Sequence, residues 1–233
     1  MMFTWLEKNP FFFAVGVFVV ISFAGLVTIV PAFMQSSRPI VGTTPSSVLE
    51  LAGRAVYIKE SCNACHSQLI RPFKAETDRY GEYSLSGEYA YHRPFLWGSK
   101  RTGPDLLRVG NYRTSDWHAN HMYEPAAIVN GSIMPAYKHT FTNIANIETA
   151  YAEAVTVNKV FNVPYNKSIP MRDGSTKVVP LSETWEGAQA KAVADAKVIA
   201  KQMRWNTIKA DAIKSVDDIP EIVALVAYLN SLK

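Results

Sequence analysis

The chain changes character at about residue 31. From Phe11 to Val30 it runs FFFAVGVFVVISFAGLVTIV, 20 residues without a charge, with Pro10 and Pro31 at the two ends. At 1.5 Å per residue this is about 30 Å of helix, the thickness of a bilayer's hydrocarbon core. It exceeds the roughly 7–15 apolar residues of a signal peptide, and Lys8 alone makes a thin basic flank. The pattern predicts an uncleaved N-terminal transmembrane anchor over residues 1–35. Ala14, Ser22, Gly25 and Thr28 fall near one face of that helix, where small residues let another membrane helix approach. A plain lipid-facing anchor is the alternative. Residues 36–47, rich in Ser, Thr and Pro, read as a linker.

Past the linker the period becomes helical. Val48, Leu51, Ala52, Ala55, Val56 and Ile58 predict a helix over 48–60. A second helix is expected at the C-terminus, where Asp218-Ile219-Pro220-Glu221 resembles a capping box with proline in the first turn, ahead of Ile222, Val223, Leu225, Val226, Tyr228 and Leu229. A third runs from Glu183 to Met203, with Glu183 and Glu186 in its first turn and an exposed face of alanine and lysine. Residues 165–180 read as a short hairpin turning at Asp173-Gly174. The fold class is mainly α, with residues 48–233 as one domain carrying insertions at about 67–100 and 160–210.

Composition narrows the function. The chain has 233 residues and a formal net charge of +4, too modest for strong electrostatic steering. Only two cysteines occur, and both lie in Cys62-Asn63-Ala64-Cys65-His66. This C-x-x-C-H spacing is the attachment signature of a c-type haem, in which two thiols bind the porphyrin vinyl groups and the next histidine ligates the iron. One helical turn presents both sulfurs to the same edge and brings the imidazole to the metal. A structural zinc site needs two further ligands of matching spacing, which the other histidines do not provide. A thioredoxin-like pair has no need of His66.

A sixth ligand decides what such an iron does: methionine or histidine closes the site for electron transfer, whereas an open position admits oxygen or peroxide. Met122, Met134, Met171 and Met203 lie downstream. Met134 is the best placed, in a loop bracketed by Gly131 and Pro135. Met122 is the reserve, Met171 sits in a polar turn, and Met203 belongs to a helical pattern. His92, His118, His121 and His139 read as surface or packing residues.

Two helices flanking such a motif resemble a class I cytochrome c domain. Arg101-Thr102-Gly103-Pro104-Asp105-Leu106 strengthens the resemblance. In cytochromes c the proline of a G-P-x-L stretch offers its carbonyl to the ring N–H of the haem histidine, which places Pro104 in that role. Covalent haem attachment generally belongs to the extracytoplasmic face in bacteria. The domain is therefore expected on the periplasmic side of the inner membrane.

The 67 residues between His66 and Met134 are too many for an idle loop. Arg71, Lys74, Arg79, Arg93, Lys100 and Arg101 stand there among Tyr80, Tyr83, Tyr89, Tyr91, Phe95 and Trp97, a mixture that suits a stable protein interface. Haem propionates are another sink for arginine charge. A nucleic-acid role does not fit a membrane-tethered periplasmic haem domain.

The stretch from Glu60 to Leu106, with Ser115-Asp116-Trp117, His121-Met122-Tyr123-Glu124-Pro125 and Ser132-Ile133-Met134-Pro135-Ala136-Tyr137, resembles the monohaem cytochrome c subunit of cbb(3)-type haem-copper cytochrome c oxidases over nearly the full length. The resemblance implies one covalent haem c with iron ligands His66 and Met134. It implies a membrane complex with the catalytic haem-copper subunit and a further cytochrome c subunit. Electrons would pass from a cytochrome c donor to the haem b of the catalytic subunit, where oxygen is reduced to water; this chain has no active site of its own. Trp97-Gly98-Ser99-Lys100 would face the catalytic subunit, with Ser99 helping to hold a structural calcium. Three alternatives stay open: the monohaem subunit of a bacterial nitric oxide reductase, a haem enzyme or gas sensor with an open iron position, and an assembly subunit whose haem is incidental.

Overall fold

The computed structural model describes residues 2–34 and 38–233, so the predicted boundary between anchor and linker lies outside the described residues. The chain divides into two units, Met1–Ser37 and Arg38–Lys233. In the first, a short helix α1 (Met2–Lys8) precedes α2 (Pro10–Met34). Pro10 occupies the first helical position of α2, where a missing N–H costs nothing. The span Pro10–Pro31 is long and apolar enough to cross a membrane, and none of it is buried within the protein. Helix α2 continues through Pro31 to Met34, within the range expected of the anchor. The Thr28 hydroxyl donates back to the carbonyls of Ala24 and Gly25, so this polar group is satisfied inside its own helix.

The second unit is mainly helical. Its helices are α3 (Val48–Lys59), the single turn α4 (Cys62–Cys65), α5 (Lys74–Tyr80), α6 (Ser115–Tyr123), the single turn α7 (Pro125–Ile128), α8 (Ile147–Phe161), α9 (Trp185–Met203) and α10 (Glu221–Ser231). Ser47 and Glu50 form a reciprocal capping box at the start of α3: the Ser47 hydroxyl accepts from Glu50 N–H, and the Glu50 carboxylate accepts from Ser47 N–H at 2.6 Å.

The core is organised on the crossing of α3 and α10. Gly53 makes it possible, since a Cβ there would stand 1.9 Å from the Ala224 carbonyl oxygen. Beside it the Tyr57 and Tyr228 rings meet edge to face at 5.4 Å. Residues 221–229 of α10 are buried on every side, as its nearly continuous apolar run requires. The expected capping box at Asp218 is not formed. Asp218 instead closes a box with Ser215 on the preceding short turn, and α10 starts after Pro220 without a side-chain cap. Glu221 turns inward to accept from Lys59 Nζ at 2.7 Å and Asn143 Nδ2 at 3.3 Å, tying the start of α10 to the end of α3.

The later insertion is part of this core. Strands β1 (Ser168–Pro170) and β2 (Thr176–Val178) pair antiparallel around the expected Asp173-Gly174 turn. Tyr165 donates to the Ser46 carbonyl at 2.8 Å, which ties the hairpin's approach to the entry of α3. Helix α9 begins at Trp185 with Thr184 as its cap, so Glu183 stands outside the first turn where it was expected. Its alanines also divide: Ala190 and Ala194 are exposed, but Ala188, Ala192, Ala196 and Ala200 form a buried stripe at four-residue spacing. That stripe lets α9 pack against α6 and α10.

Candidate functional site

The polypeptide leaves α3 through Ser61, held in the left-handed region at φ 56°. That reversal starts the single turn α4, in which His66 N–H donates to the Cys62 carbonyl at 2.9 Å. Cys62 is buried and Cys65 exposed, and both thiols are free. Burial pushes the Cys62 thiol up to about 12, with the nearby Glu60 charge adding to the effect.

His66 follows in extended backbone, and its Nδ1 lies 2.8 Å from the Pro104 carbonyl oxygen. A carbonyl only accepts, so Nδ1 carries the proton and the Nε2 lone pair is left for a metal. Burial pushes the His66 imidazole below its ordinary range, while the bond to Pro104 works in the opposite direction. Gly103 supplies the bed for the ring: a Cβ there would lie 2.2 Å from Cε1 and 2.7 Å from each ring nitrogen. Gly103 N–H also donates to the Cys65 carbonyl at 3.0 Å, so 103–104 is bonded to both ends of the Cys65-His66 step.

Cys62, Cys65, His66, Pro104 and Met134 line one continuous cleft. Met134 is half-buried on the edge of the core. Its loop turns at Gly131, φ 74°, and is tied to α6 where Tyr137 N–H donates to the Met122 carbonyl at 2.8 Å. Met122 is buried in α6 and Met203 is buried in α9, both within the main core, while Met171 sits at the hairpin turn. A free pair of thiols three residues apart, an imidazole with its outer nitrogen committed to a carbonyl, a glycine bed for the ring and a thioether on the same cleft together fit a c-type haem.

The other histidines differ in setting. His118 is buried, and burial followed by the neighbouring His121 charge pushes it down to about 4. His121 stacks on Trp117 at 4.5 Å, and His139 approaches Glu60 at 3.1 Å. His92 is pushed down to about 4 by burial and then by Arg54, whose guanidinium donates to the Arg93 and Pro94 carbonyls.

Much of the basic charge in the 67–100 insertion is satisfied internally. Arg71 and Arg101 both engage Glu76, and the Arg101 bond holds that carboxyl down at about 2. Lys74 pairs with Asp78, and Arg93 lies over the Phe161 ring. Several of the aromatics remain outside. Phe95 and Trp97 stack at 4.6 Å and are about half exposed, on a segment tied to the residues after His66 where Gln68 N–H donates to the Trp97 carbonyl at 2.9 Å; a Cβ added at Gly98 would stand 3.1 Å from Ser67 Cα and 3.2 Å from the His66 carbonyl oxygen. Ser99 and Lys100 are exposed beside them. Among the described residues no group of three or more His, Cys, Asp or Glu is placed to hold a metal ion, so Ser99 gains no such cluster from this chain.

Residues Gly103, Ser67 and Asp105 had no role assigned from sequence, although Gly103 and Asp105 adjoin Pro104 and Ser67 adjoins His66. Residues 3–233 match the family model described as cytochrome c oxidase, mono-haem subunit/FixO. Among curated proteins nothing matches the chain.

Proposed function

Since this chain belongs to the FixO family of mono-haem cytochrome c oxidase subunits, we propose that it is the membrane-anchored electron relay of a cbb(3)-type oxidase. In this reading Cys62 and Cys65 hold one haem c through thioethers, His66 Nε2 ligates the iron, and Met134 closes the sixth position. Bound there, the haem supplies a one-electron ferric–ferrous couple. The observation that carries the reading is the 2.8 Å bond from His66 Nδ1 to the Pro104 carbonyl, laid over Gly103. It fixes the tautomer and direction of a ligand beside two free thiols.

Each residue does work that a relay needs. The thiols keep the cofactor in place through redox cycling, and a sulfur ligand at Met134 favours the reduced iron and leaves no vacancy for oxygen. The span Pro10–Pro31 anchors the domain in the inner membrane, raising its effective concentration near a membrane-embedded acceptor. The domain lies on the periplasmic side, receives electrons from a cytochrome c and shares the complex with the catalytic haem-copper subunit and a further cytochrome c subunit. The exposed Phe95–Trp97 stack, adjoining His66 through Gly98, faces the catalytic subunit and its haem b. A calcium at Ser99 would draw its remaining ligands from that neighbour. The family match favours an oxidase over a nitric oxide reductase.

Ferric spectra of the purified chain test the haem centre. A methionine-to-iron charge-transfer band is expected, lost in Met134→Ala and kept in Met122→Ala. Absence of the band from the wild type would move the chain to the open-iron class.

A further inference from the structure

The Asp105 carboxylate is buried immediately after Pro104, and its hydrogen-bond partners among the described residues are donors. Oδ2 accepts from Ser67 Oγ–H at 2.6 Å and from Leu69 N–H at 2.8 Å, and Oδ1 accepts from Leu107 N–H at 2.9 Å. Arg101 Nη2 stands 3.6 Å from Oδ2. The Ser67 hydroxyl is committed to Asp105 because it accepts from Arg101 Nε at 2.7 Å.

The position of this carboxylate matters more than its charge count. Ser67 and Leu69 follow His66 along one segment, while Leu107 follows Pro104 along the other. Asp105 therefore stitches together the two segments that carry the donor and the acceptor of the His66–Pro104 bond. Leu106 N–H, donating to the Ser67 carbonyl at 2.9 Å, adds a parallel tie. Arg101 braces the junction from outside, donating to the Leu69 carbonyl at 2.6 Å and reaching Glu76 at 2.7 Å.

We propose that Asp105 is a positioning residue for the His66–Pro104 hydrogen bond, and through that bond lowers the reduction potential of the iron that His66 ligates. The proposal rests on the haem reading above. A firmly held Nδ1–H···O bond makes the imidazole a stronger electron donor, which favours the ferric state. Substituting the carboxylate loosens the bond and removes a buried negative charge, and both changes favour the ferrous state.

The test uses the full-length, haem-loaded chain in detergent, with Asp105→Asn and Ser67→Ala beside the wild type. Two quantities are read: the ferric–ferrous equilibrium against a redox mediator, and the exchange rate of the His66 Nδ1 proton by NMR. Asp105→Asn is expected to move the equilibrium about tenfold toward ferrous, equivalent to 59 mV for one electron, with faster Nδ1 exchange and the methionine band retained. Ser67→Ala is expected to move both quantities in the same direction by less. Unchanged equilibrium and exchange overturn the proposal, even where stability falls. A shifted equilibrium with unchanged exchange overturns it too, since charge alone would then be acting. If Asp105→Asn fails to load haem, the two readouts on Ser67→Ala decide. A wild type without His/Met spectra defeats the haem reading itself, and that is seen before any variant is compared.

Discussion

At Gly103 the missing side chain lets the His66 ring lie against the backbone, because a Cβ would stand 2.2 Å from Cε1. Here the atom in the way belongs to a ring held by its own hydrogen bond, so relief requires moving the ligand. Gly103→Ala is expected to destabilise the haem-loaded chain by about 1–3 kcal/mol, with haem per chain falling below the wild-type value in a pyridine haemochrome assay. Glu76 is the second residue with a measurable signature. The Arg101 hydrogen bond lowers its folded-state pKa to about 2, from an ordinary value of 4.5. The stabilisation it contributes is therefore complete above about pH 4.5 and is lost as pH falls toward 2. Urea midpoints measured across that range should fall with pH in the wild type, and Glu76→Gln should flatten the slope. The residues of the proposed haem centre were legible one by one: Cys62, Cys65, His66 and Pro104 stand in short, specific spacings. Asp105 was not, although it is adjacent to Pro104. Its meaning comes from Ser67 and Leu69, more than thirty residues away in the chain, and no local pattern records that meeting.

Among the elements, the crossing of α3 with α10 fixes the frame from which α4 projects. Gly53 is its tightest point, facing Ala224 backbone oxygen at 1.9 Å from where a Cβ would be. Backbone cannot rotate away as a side chain can, so Gly53→Ala is expected to cost at the upper end of about 1–3 kcal/mol or more, read by chemical denaturation. The capping box of α3 offers a milder probe: Ser47→Ala should cost about 1 kcal/mol by the same assay. Helix periods were legible wherever one face met the core, as in α3. End signals were less so, because Asp218 read as a cap while Ser47 read only as the last residue of a linker. Pro220 and the inward turn of Glu221 leave Asp218 to the preceding turn, whereas Ser47 finds Glu50 three residues on. The alanines of α9 misled for a related reason, since alanine suits an exposed helix and a close helix contact equally well.

At the scale of the whole molecule, an apolar helix long enough to span a bilayer and a mainly helical domain belong to one chain of an oxidase family. Hydropathy made the first legible and the C-x-x-C-H spacing the second, while the long insertions became meaningful only through their contacts. In the proposed relay, electrons for oxygen reduction pass through this chain. The most direct test of that relay is oxygen consumption, with reduced cytochrome c as donor, by the complex purified in mild detergent through a tag on this chain, wild type beside Met134→His. A bis-histidine iron has a lower potential than a His/Met iron. The expected result is that both forms co-elute with b-type haem and copper, and that the variant's turnover falls well below that of the wild type. Equal turnover in the two intact complexes would contradict the relay, and co-elution with non-haem iron and no copper would contradict the oxidase.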